Sequence, residues 1–110
     1  MEGPVKGDVV VVPFPFSDLS RYKLRPALVT ATLLGQDTLL CLITSKDRQD
    51  AYSVKLEEED FAEGRLALSS VIRPNRLFGA EKSIIKYSIG SVNQAKAREV
   101  EEKLIKMLRS

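Results

Sequence analysis

Residues 7–29 read GDVVVVPFPFSDLSRYKLRPALV, and this stretch decides the class of fold. Residues 7–14 are an apolar run opened by a Gly-Asp turn, which predicts a largely buried strand. Residues 13–24 contain two X-Pro bonds and follow neither a strand nor a helix period, so they predict a long loop. A second strand is expected from Arg25-Pro26 through ALVTAT, because a residue before proline is held in the extended region.

The chain beyond this stretch predicts more short strands. Four strands are expected from the apolar or alternating runs TLLCLITS (38–45), YSVKLE (52–57), LALSSVIR (66–73) and IIKYSIGSV (84–92). The acidic run EEEDFAEGR (57–65) predicts a turn or short helix, and RPNRLFG (73–79) predicts a bend that leads into another short strand.

The period of the pattern changes after residue 91. Ser91 or Asn93 can serve as N-cap, and an apolar stripe follows at helical spacing, formed by Ala97, Val100, Leu104 and Leu108. Short strands closed by one amphipathic helix predict a mainly β protein built as a small barrel with a C-terminal α-helix. At 110 residues, we expect a single domain over residues 1–110.

The amino-acid composition limits which catalytic and metal-binding groups the protein can use and in which cellular compartment it is expected. The chain has no histidine and one cysteine, Cys41, so imidazole catalysis is excluded and a zinc site is not expected. No pair of acids has a convincing metal-site spacing, and we expect no cofactor. Cys41 lies in an apolar run and is interpreted as a small buried hydrophobe. No signal-peptide pattern or membrane-length apolar run occurs, so a cytoplasmic location is expected.

The charge pattern is more informative than the net charge of +2. Acidic residues cluster between residues 57 and 63, whereas basic residues stand at or near the ends of the predicted strands. A positive face on a nearly neutral protein is therefore possible, although scattered solvated charges explain the counts equally well.

The ordered set of segments resembles the MazF/PemK-like endoribonuclease toxins. The likeness begins with GDVVVVPFPFSDLSRYKLRPALV, continues through TLLCLITSK, and ends with GRLALSSVIRPNRLF and IGSV. It covers nearly the whole chain in the right order. The resemblance implies an SH3-like, CcdB/MazF-type barrel, a homodimer and an antitoxin partner.

The same resemblance implies a metal-independent reaction on single-stranded RNA. The RNA's own 2′-hydroxyl would attack the phosphate, leaving a 2′,3′-cyclic phosphate and a free 5′-hydroxyl. Arg25 matches the family's catalytic arginine, and its planar guanidinium can hold two phosphate oxygens and stabilise growing negative charge. Thr44 matches the family's threonine at the end of the third strand, where a hydroxyl can orient a phosphate oxygen.

One departure from the family pattern concerns the general base. Several members carry a glutamate about five residues before the arginine, and here that position is Ser20. Asp18 is the only carboxylate of this loop, so it is the candidate base that would deprotonate the 2′-hydroxyl.

Other residues are predicted to contact RNA. The aromatic side chains of Phe14, Phe16 and Tyr22 can stack on bases, although for at least one of the two phenylalanines an anchoring role in the core is favoured. The remaining candidates supply hydroxyl groups or positive charge toward the RNA: Ser20, Lys23, Ser45, Lys46, Arg73 and Arg76.

Three other functions compete with this interpretation. A catalytically weak or inactive member would keep the barrel as an RNA- or antitoxin-binding module. A CcdB-type toxin that binds gyrase is disfavoured, because that mode relies on a C-terminal tryptophan and this chain has no tryptophan. An unrelated SH3-like adaptor would be expected to display more aromatic residues than the 6% found here.

Overall fold

The computed structural model describes residues 3–15 and 22–110. The predictions for Phe16, Asp18 and Ser20 therefore lie outside the described residues. The side chain of Tyr22 is also outside them, although its backbone opens a strand.

The described residues form seven strands and one α-helix. The strands are β1 (Asp8–Pro15), β2 (Tyr22–Thr32), β3 (Asp37–Ser45), β4 (Val54–Leu56), β5 (Phe61–Gly64), β6 (Ser70–Glu81) and β7 (Tyr87–Val92). The helix is α1 (Gln94–Leu108), and short 3-10 turns occupy Lys46–Arg48, Glu58–Asp60 and Lys82–Ile84. The predicted mainly β fold with a C-terminal helix is confirmed.

All seven strands belong to one antiparallel sheet in the order β4-β6-β3-β2-β1-β7-β5. Strands β1, β2 and β3 follow one another in space as they do in sequence, which is the economical arrangement for antiparallel strands joined by short connections. Strand β6 adds next to β3 and carries β4 on its other edge.

The sheet buries residues on both faces. On the face that we call the helix face, α1 packs Val100 against a core that includes Leu28, Cys41, Ile43 and Ile72. The opposite face, which we call the far face, has its own core of five fully buried residues: Val10, Val12, Ala27, Val29 and Leu40. Phe78, Ala80, Ile84 and Ile85 pack against that second core. Burial on both faces explains why β1 is a continuous run of valines rather than an alternating strand.

The helix begins where the sequence suggested. Asn93 is the N-cap, and its side chain accepts a hydrogen bond of 2.8 Å from the backbone N–H of Lys96. Of the two candidate caps, Asn93 is therefore the one used. Cys41 is completely buried, and burial raises the pKa of its thiol to about 12, in agreement with a hydrophobic role.

Several strand boundaries differ from the predictions. Residues 61–64 were expected in an acidic turn or short helix but form β5, and β7 begins at Tyr87 rather than at residue 84. Pro15 and residues 22–24 were expected in a loop, but they belong to β1 and β2, which pair as far as Pro15 and Tyr22. Residues 66–69 were expected in a strand, but β6 begins only at Ser70. Where a strand ends depends on how far the neighbouring strand pairs with it, and the pattern of a single segment does not contain that information.

The predicted bend at residues 73–79 is a bulge inside one long strand. Cys41 pairs with Leu77 and the next residue, Leu42, pairs with Arg73, so Pro74, Asn75 and Arg76 have no partner in β3. These three unpaired residues change the direction of the second half of β6. None of the described helices is long and apolar enough to cross a membrane.

Candidate functional site

Arg25 lies near the start of β2 and points to the far face. It pairs with Val12 of β1 and precedes Pro26, which holds it extended. Side chains alternate along a strand, so Arg25 shares its face with Ala27, which is completely buried in the far-face core. Arg25 itself is only partly buried. It therefore stands where the apolar core ends and the accessible surface begins.

Thr44, near the end of β3, lies on the same face of the sheet as Arg25. The last pair between β2 and β3 is Ala27 with Leu42. Continuing that register by two residues along each antiparallel strand places Thr44 opposite Arg25, with both side chains on the far face. The Thr44 hydroxyl makes one long hydrogen bond, 3.4 Å to the backbone carbonyl of Ser45, so it keeps most of its bonding capacity for another partner.

The line of residues through Arg25 and Thr44 continues across the sheet. Thr44 pairs with Val71 of β6, and Val71 pairs with Lys55 of β4. Directly paired residues share a face, so Arg25, Thr44 and Lys55 all lie on the far face, with the buried Val71 between the last two. We refer to Arg25, Thr44 and Lys55 as the polar row.

Two predicted RNA contacts lie near one end of the polar row. Lys23 is exposed, two residues before Arg25 on the same face of β2, and it pairs with Phe14. Lys46 is exposed and follows the last residue of β3 directly. Because β2 begins at the end of the sheet where β3 finishes, the two lysines add positive charge around Arg25 and Thr44.

Phe14 packs against the far-face core. Its ring meets the ring of Phe78 edge-on, with the ring centroids 5.7 Å apart. Phe78 in turn packs on the far-face cluster. This phenylalanine therefore anchors the end of β1, in line with the interpretation that an aromatic residue of this region belongs to the core.

Arg73, another predicted RNA contact, is held by an acid. It pairs with Leu42 on the far face, and its Nη2 donates to Asp50 Oδ2 at 2.9 Å. Asn75 Nδ2 donates to the same oxygen at 3.0 Å. The Arg73 side chain is 15% exposed, and its Nε is buried without a hydrogen-bond partner among the described residues. The carboxylate offsets the charge of Arg73, which weakens its attraction for a phosphate.

Asp50 fastens the loop between β3 and β4 to β6. The backbone N–H of Tyr52 lowers the pKa of Asp50 most, followed by the hydrogen bonds from Arg73 and Asn75. Each of these bonds favours the ionised carboxylate. Asp50 therefore stays charged at neutral pH and links its own turn to the bulge of β6.

The other predicted contacts occupy separate positions. Arg76 is exposed in the bulge of β6. Ser45 pairs with Ser70, which places it on the helix face and away from Thr44, although it is exposed at the strand end. Tyr22 pairs with Pro15 through its backbone.

Sequence reasoning missed two residues of this region, Lys55 and Asp50. The alternation in YSVKLE carries the signal for Lys55, because a lysine between two buried residues, Val54 and Leu56, must face the other way. Asp50 carries no comparable signal, since its partners Arg73 and Asn75 lie more than 20 residues away. In the part of the chain that the structure describes, no group of three or more His, Cys, Asp or Glu residues could hold a metal ion.

The fold and the polar row define a class: a small, mainly β half-barrel with a C-terminal helix and a basic and hydroxyl-bearing strand end. Residues 5–108 match the family model described as PemK-like, MazF-like toxin of type II toxin-antitoxin system. The chain belongs to this family. No protein with curated annotation matches the sequence.

Solved structures agree with this assignment at the level of the fold. A crystal structure of MazF from Deinococcus radiodurans superposes with a TM-score of 0.76 at 20% identity, covering 100% of each chain. An endoribonuclease in complex with its cognate antitoxin, from Mycobacterial species, gives a TM-score of 0.72 at 18% identity, covering 99% of this chain and 96% of that one. A MazE-MazF complex from D. radiodurans gives 0.72 at 19% identity, covering 98% and 97%.

Proposed function

We propose that this chain is an endoribonuclease toxin that cuts single-stranded RNA without a metal ion. Membership of the MazF/PemK-like family supports the proposal. A similar fold occurs in a protein described as an endoribonuclease in complex with its cognate antitoxin. The observation that carries the proposal is the register of β2 and β3, whose last pair is Ala27 with Leu42. Continued by two residues along each strand, this register sets Arg25 opposite Thr44 on the far face.

This pair suits a phosphate group. A guanidinium presents a rigid fork of donors that matches two phosphate oxygens, and it keeps its positive charge throughout the reaction. The hydroxyl of Thr44 can donate to a non-bridging oxygen and fix its orientation. Both groups are held by paired strands rather than by a mobile loop, so they need little reorganisation as negative charge develops on the phosphate.

The proposed reaction is an internal transfer at phosphorus. The 2′-oxygen loses its proton to a base and forms a bond to the adjacent phosphorus, while the bond from phosphorus to the 5′-oxygen breaks. The products are a 2′,3′-cyclic phosphate and a 5′-hydroxyl, whose oxygen takes a proton from solvent or from the protonated base. Arg25 stabilises the extra negative charge of the pentacoordinate state.

Asp18 is proposed as the base. It is the carboxylate nearest in sequence to Arg25, and Ser20 stands where several family members carry a glutamate. A carboxylate within hydrogen-bond reach of the 2′-hydroxyl would suffice for proton transfer. If Asp18 does not reach that position, cleavage will be slow, and the chain will act mainly by binding.

The remaining predictions complete the proposal. Lys23, Lys46 and Arg76 are exposed and can contact phosphates, and Phe16 and Tyr22 can stack on bases. Ser20, Ser45 and Arg73 stay candidates for contacts with the RNA. We further propose that the chain forms a homodimer, binds a cognate antitoxin and acts in the cytoplasm on cellular RNA.

The test is cleavage of a long single-stranded RNA in the presence of EDTA. Wild type should give discrete cuts whose products end in a 2′,3′-cyclic phosphate and a 5′-hydroxyl. Arg25→Ala should lower the cleavage rate about a hundredfold to a thousandfold, the range seen when one preorganised charge stabiliser is removed. A single-stranded DNA of the same sequence should stay intact, because it lacks the attacking 2′-hydroxyl.

Arg98→Ala is the matched control. Arg98 is exposed on α1, which covers the other side of the sheet, so its loss should leave the cleavage rate unchanged. RNA binding without any cutting by wild type would favour the alternative, a catalytically inactive binding module. Equal cutting by wild type and Arg25→Ala would remove Arg25 from the site.

A further inference from the structure

Lys55 occupies an edge strand and faces away from the helix-face core. Its neighbours Val54 and Leu56 are each 2% exposed and pack in the helix-face cluster, whereas Lys55 is exposed. Its direct partner across the strands is Val71, which is 1% exposed. The pairing places the Lys55 side chain on the far face, on the same line as Arg25 and Thr44.

The distance along that line exceeds the size of one phosphate group. Arg25 stands on β2 and Lys55 on β4, three strand spacings away, which is about 14 Å at roughly 4.8 Å for each spacing. Side chains on strands stand roughly perpendicular to the sheet, so the tips of Arg25 and Lys55 keep about this separation, which is more than one phosphate spans. A single strand of RNA that crosses the strands of the sheet at right angles would instead present one phosphate to Arg25 and another to Lys55.

The charge of Lys55 is available to such a phosphate. Among the described residues, ion pairs engage Lys6, Arg73 and Lys96, and no carboxylate lies within 4 Å of Lys55. Lys46 and Lys55 line one shallow pocket of about 430 Å³ together with Asp47, Gln49, Glu57, Ser70 and Val71. Of its two acids, Glu57 accepts a hydrogen bond of 2.9 Å from Ser69 Oγ.

We propose that Lys55 binds a second phosphate of the RNA, beyond Val71 from the phosphate that is cut. The RNA then crosses β2, β3, β6 and β4 in that order, or in the reverse order, over the polar row. This inference rests on the proposed function. It assigns Lys55 to substrate binding at a distance from the reacting atoms, so its loss should weaken binding rather than slow the chemical step.

The experiment measures how salt affects binding of an oligonucleotide that cannot be cut. A single-stranded DNA that copies a segment of the RNA used in the cleavage assay serves as probe, because it keeps the phosphates and lacks the 2′-hydroxyl. For single strands, the slope of log K against log salt changes by about 0.7 for each phosphate contact. Lys55→Ala should bind more weakly at low salt and have a slope smaller in magnitude by about 0.7. Lys55→Arg should keep the wild-type slope.

Lys106→Ala is the matched control. Lys106 is an exposed lysine in the last turn of α1, and the substitution removes the same charge at a distance from the far face. Its slope should equal that of wild type. In RNA cleavage, Lys55→Ala should raise KM and leave kcat unchanged, which a general loss of folding would not produce.

The outcomes separate the two proposals. If wild type cuts RNA and Lys55→Ala keeps the wild-type slope, the inference about Lys55 is wrong and the proposed function stands. If the slope depends on Lys55 but wild type cuts no RNA, the proposed function is wrong and the phosphate contact stands. Wild type that neither binds nor cuts would overturn both.

Discussion

The middle and the start of β2 differ sharply although they share one strand and one face. Ala27 and Val29 are completely buried in the far-face core, while Lys23 is exposed and Arg25 is only partly buried. All four side chains point to the same face of β2. Apolar groups cover Ala27 and Val29 in the middle of the strand, whereas Lys23 and Arg25 lie at its start, where this apolar covering ends. Along this one strand, the residues that stabilise the fold are therefore different from the candidate functional residues, so the two sets should respond to different substitutions.

The largest expected effect comes from placing a charge in the apolar middle of the strand. Ala27→Asp puts a carboxylate among Val10, Val12 and Leu40 without a partner for its charge. We expect the free energy of unfolding to fall by about 3–5 kcal/mol, the cost of an uncompensated buried charge. Urea denaturation measures this loss, and failure to recover folded protein would be its extreme form.

The matched control is the same new side chain four residues earlier. Lys23→Asp changes an exposed position on the same face of β2. Its free energy of unfolding should stay within about 0.5 kcal/mol of wild type, as is usual for surface substitutions. Similar losses in both variants would show that the start of β2 belongs to the core, and the comparison would be wrong.

Much of the fold could be predicted from the sequence because its signals are local. The valine run of β1, the Arg25-Pro26 pair and the change of period near Asn93 each act over a few residues. These local signals predicted the mainly β class and the C-terminal helix. Strand ends were less accurate, since the ends of β1 and β2 depend on pairing with each other.

The candidate site was predictable only in part. The resemblance to a family pointed to Arg25 and Thr44, and the register of β2 and β3, continued by two residues beyond the pair of Ala27 with Leu42, sets these two opposite each other. The ion pair of Arg73 with Asp50 could not be foreseen, because it depends on the bulge in β6 and on the path of a loop. The predictions for Phe16, Asp18 and Ser20 remain predictions.

A smaller effect is expected from Arg73, which, unlike Arg25, is held on the far face by the carboxylate of Asp50. Asp50→Ala removes the carboxylate that holds Arg73 and Asn75, so the loop between β3 and β4 loses its attachment to β6. We expect a lower thermal unfolding midpoint at pH 7, with a loss smaller than that of Ala27→Asp. Asp47→Ala, an exposed acid of the same loop, should leave the midpoint unchanged.

The pH dependence of that loss follows from the lowered pKa of Asp50. A carboxyl whose folded pKa lies below its unfolded value stabilises the fold above the unfolded pKa, and this contribution disappears as the pH falls through the folded pKa. The difference between Asp50→Ala and wild type should therefore be full at pH 7 and shrink below about pH 4, the ordinary range for aspartate. A difference independent of pH would mean that Asp50 acts through packing alone.

The most direct test of the central claim is a double-mutant cycle on Arg25 and Thr44, measured as kcat/KM for RNA cleavage. Thr44→Val removes the hydroxyl, keeps the branched shape and should cost about 10- to 100-fold, as expected for a hydrogen bond to a charged group. If both residues hold the same phosphate, the double variant should lose less than the product of the single losses, with a coupling of at least about 0.5 kcal/mol. Losses that multiply without coupling would show that Arg25 and Thr44 act independently, and would contradict a shared phosphate site at this end of the sheet.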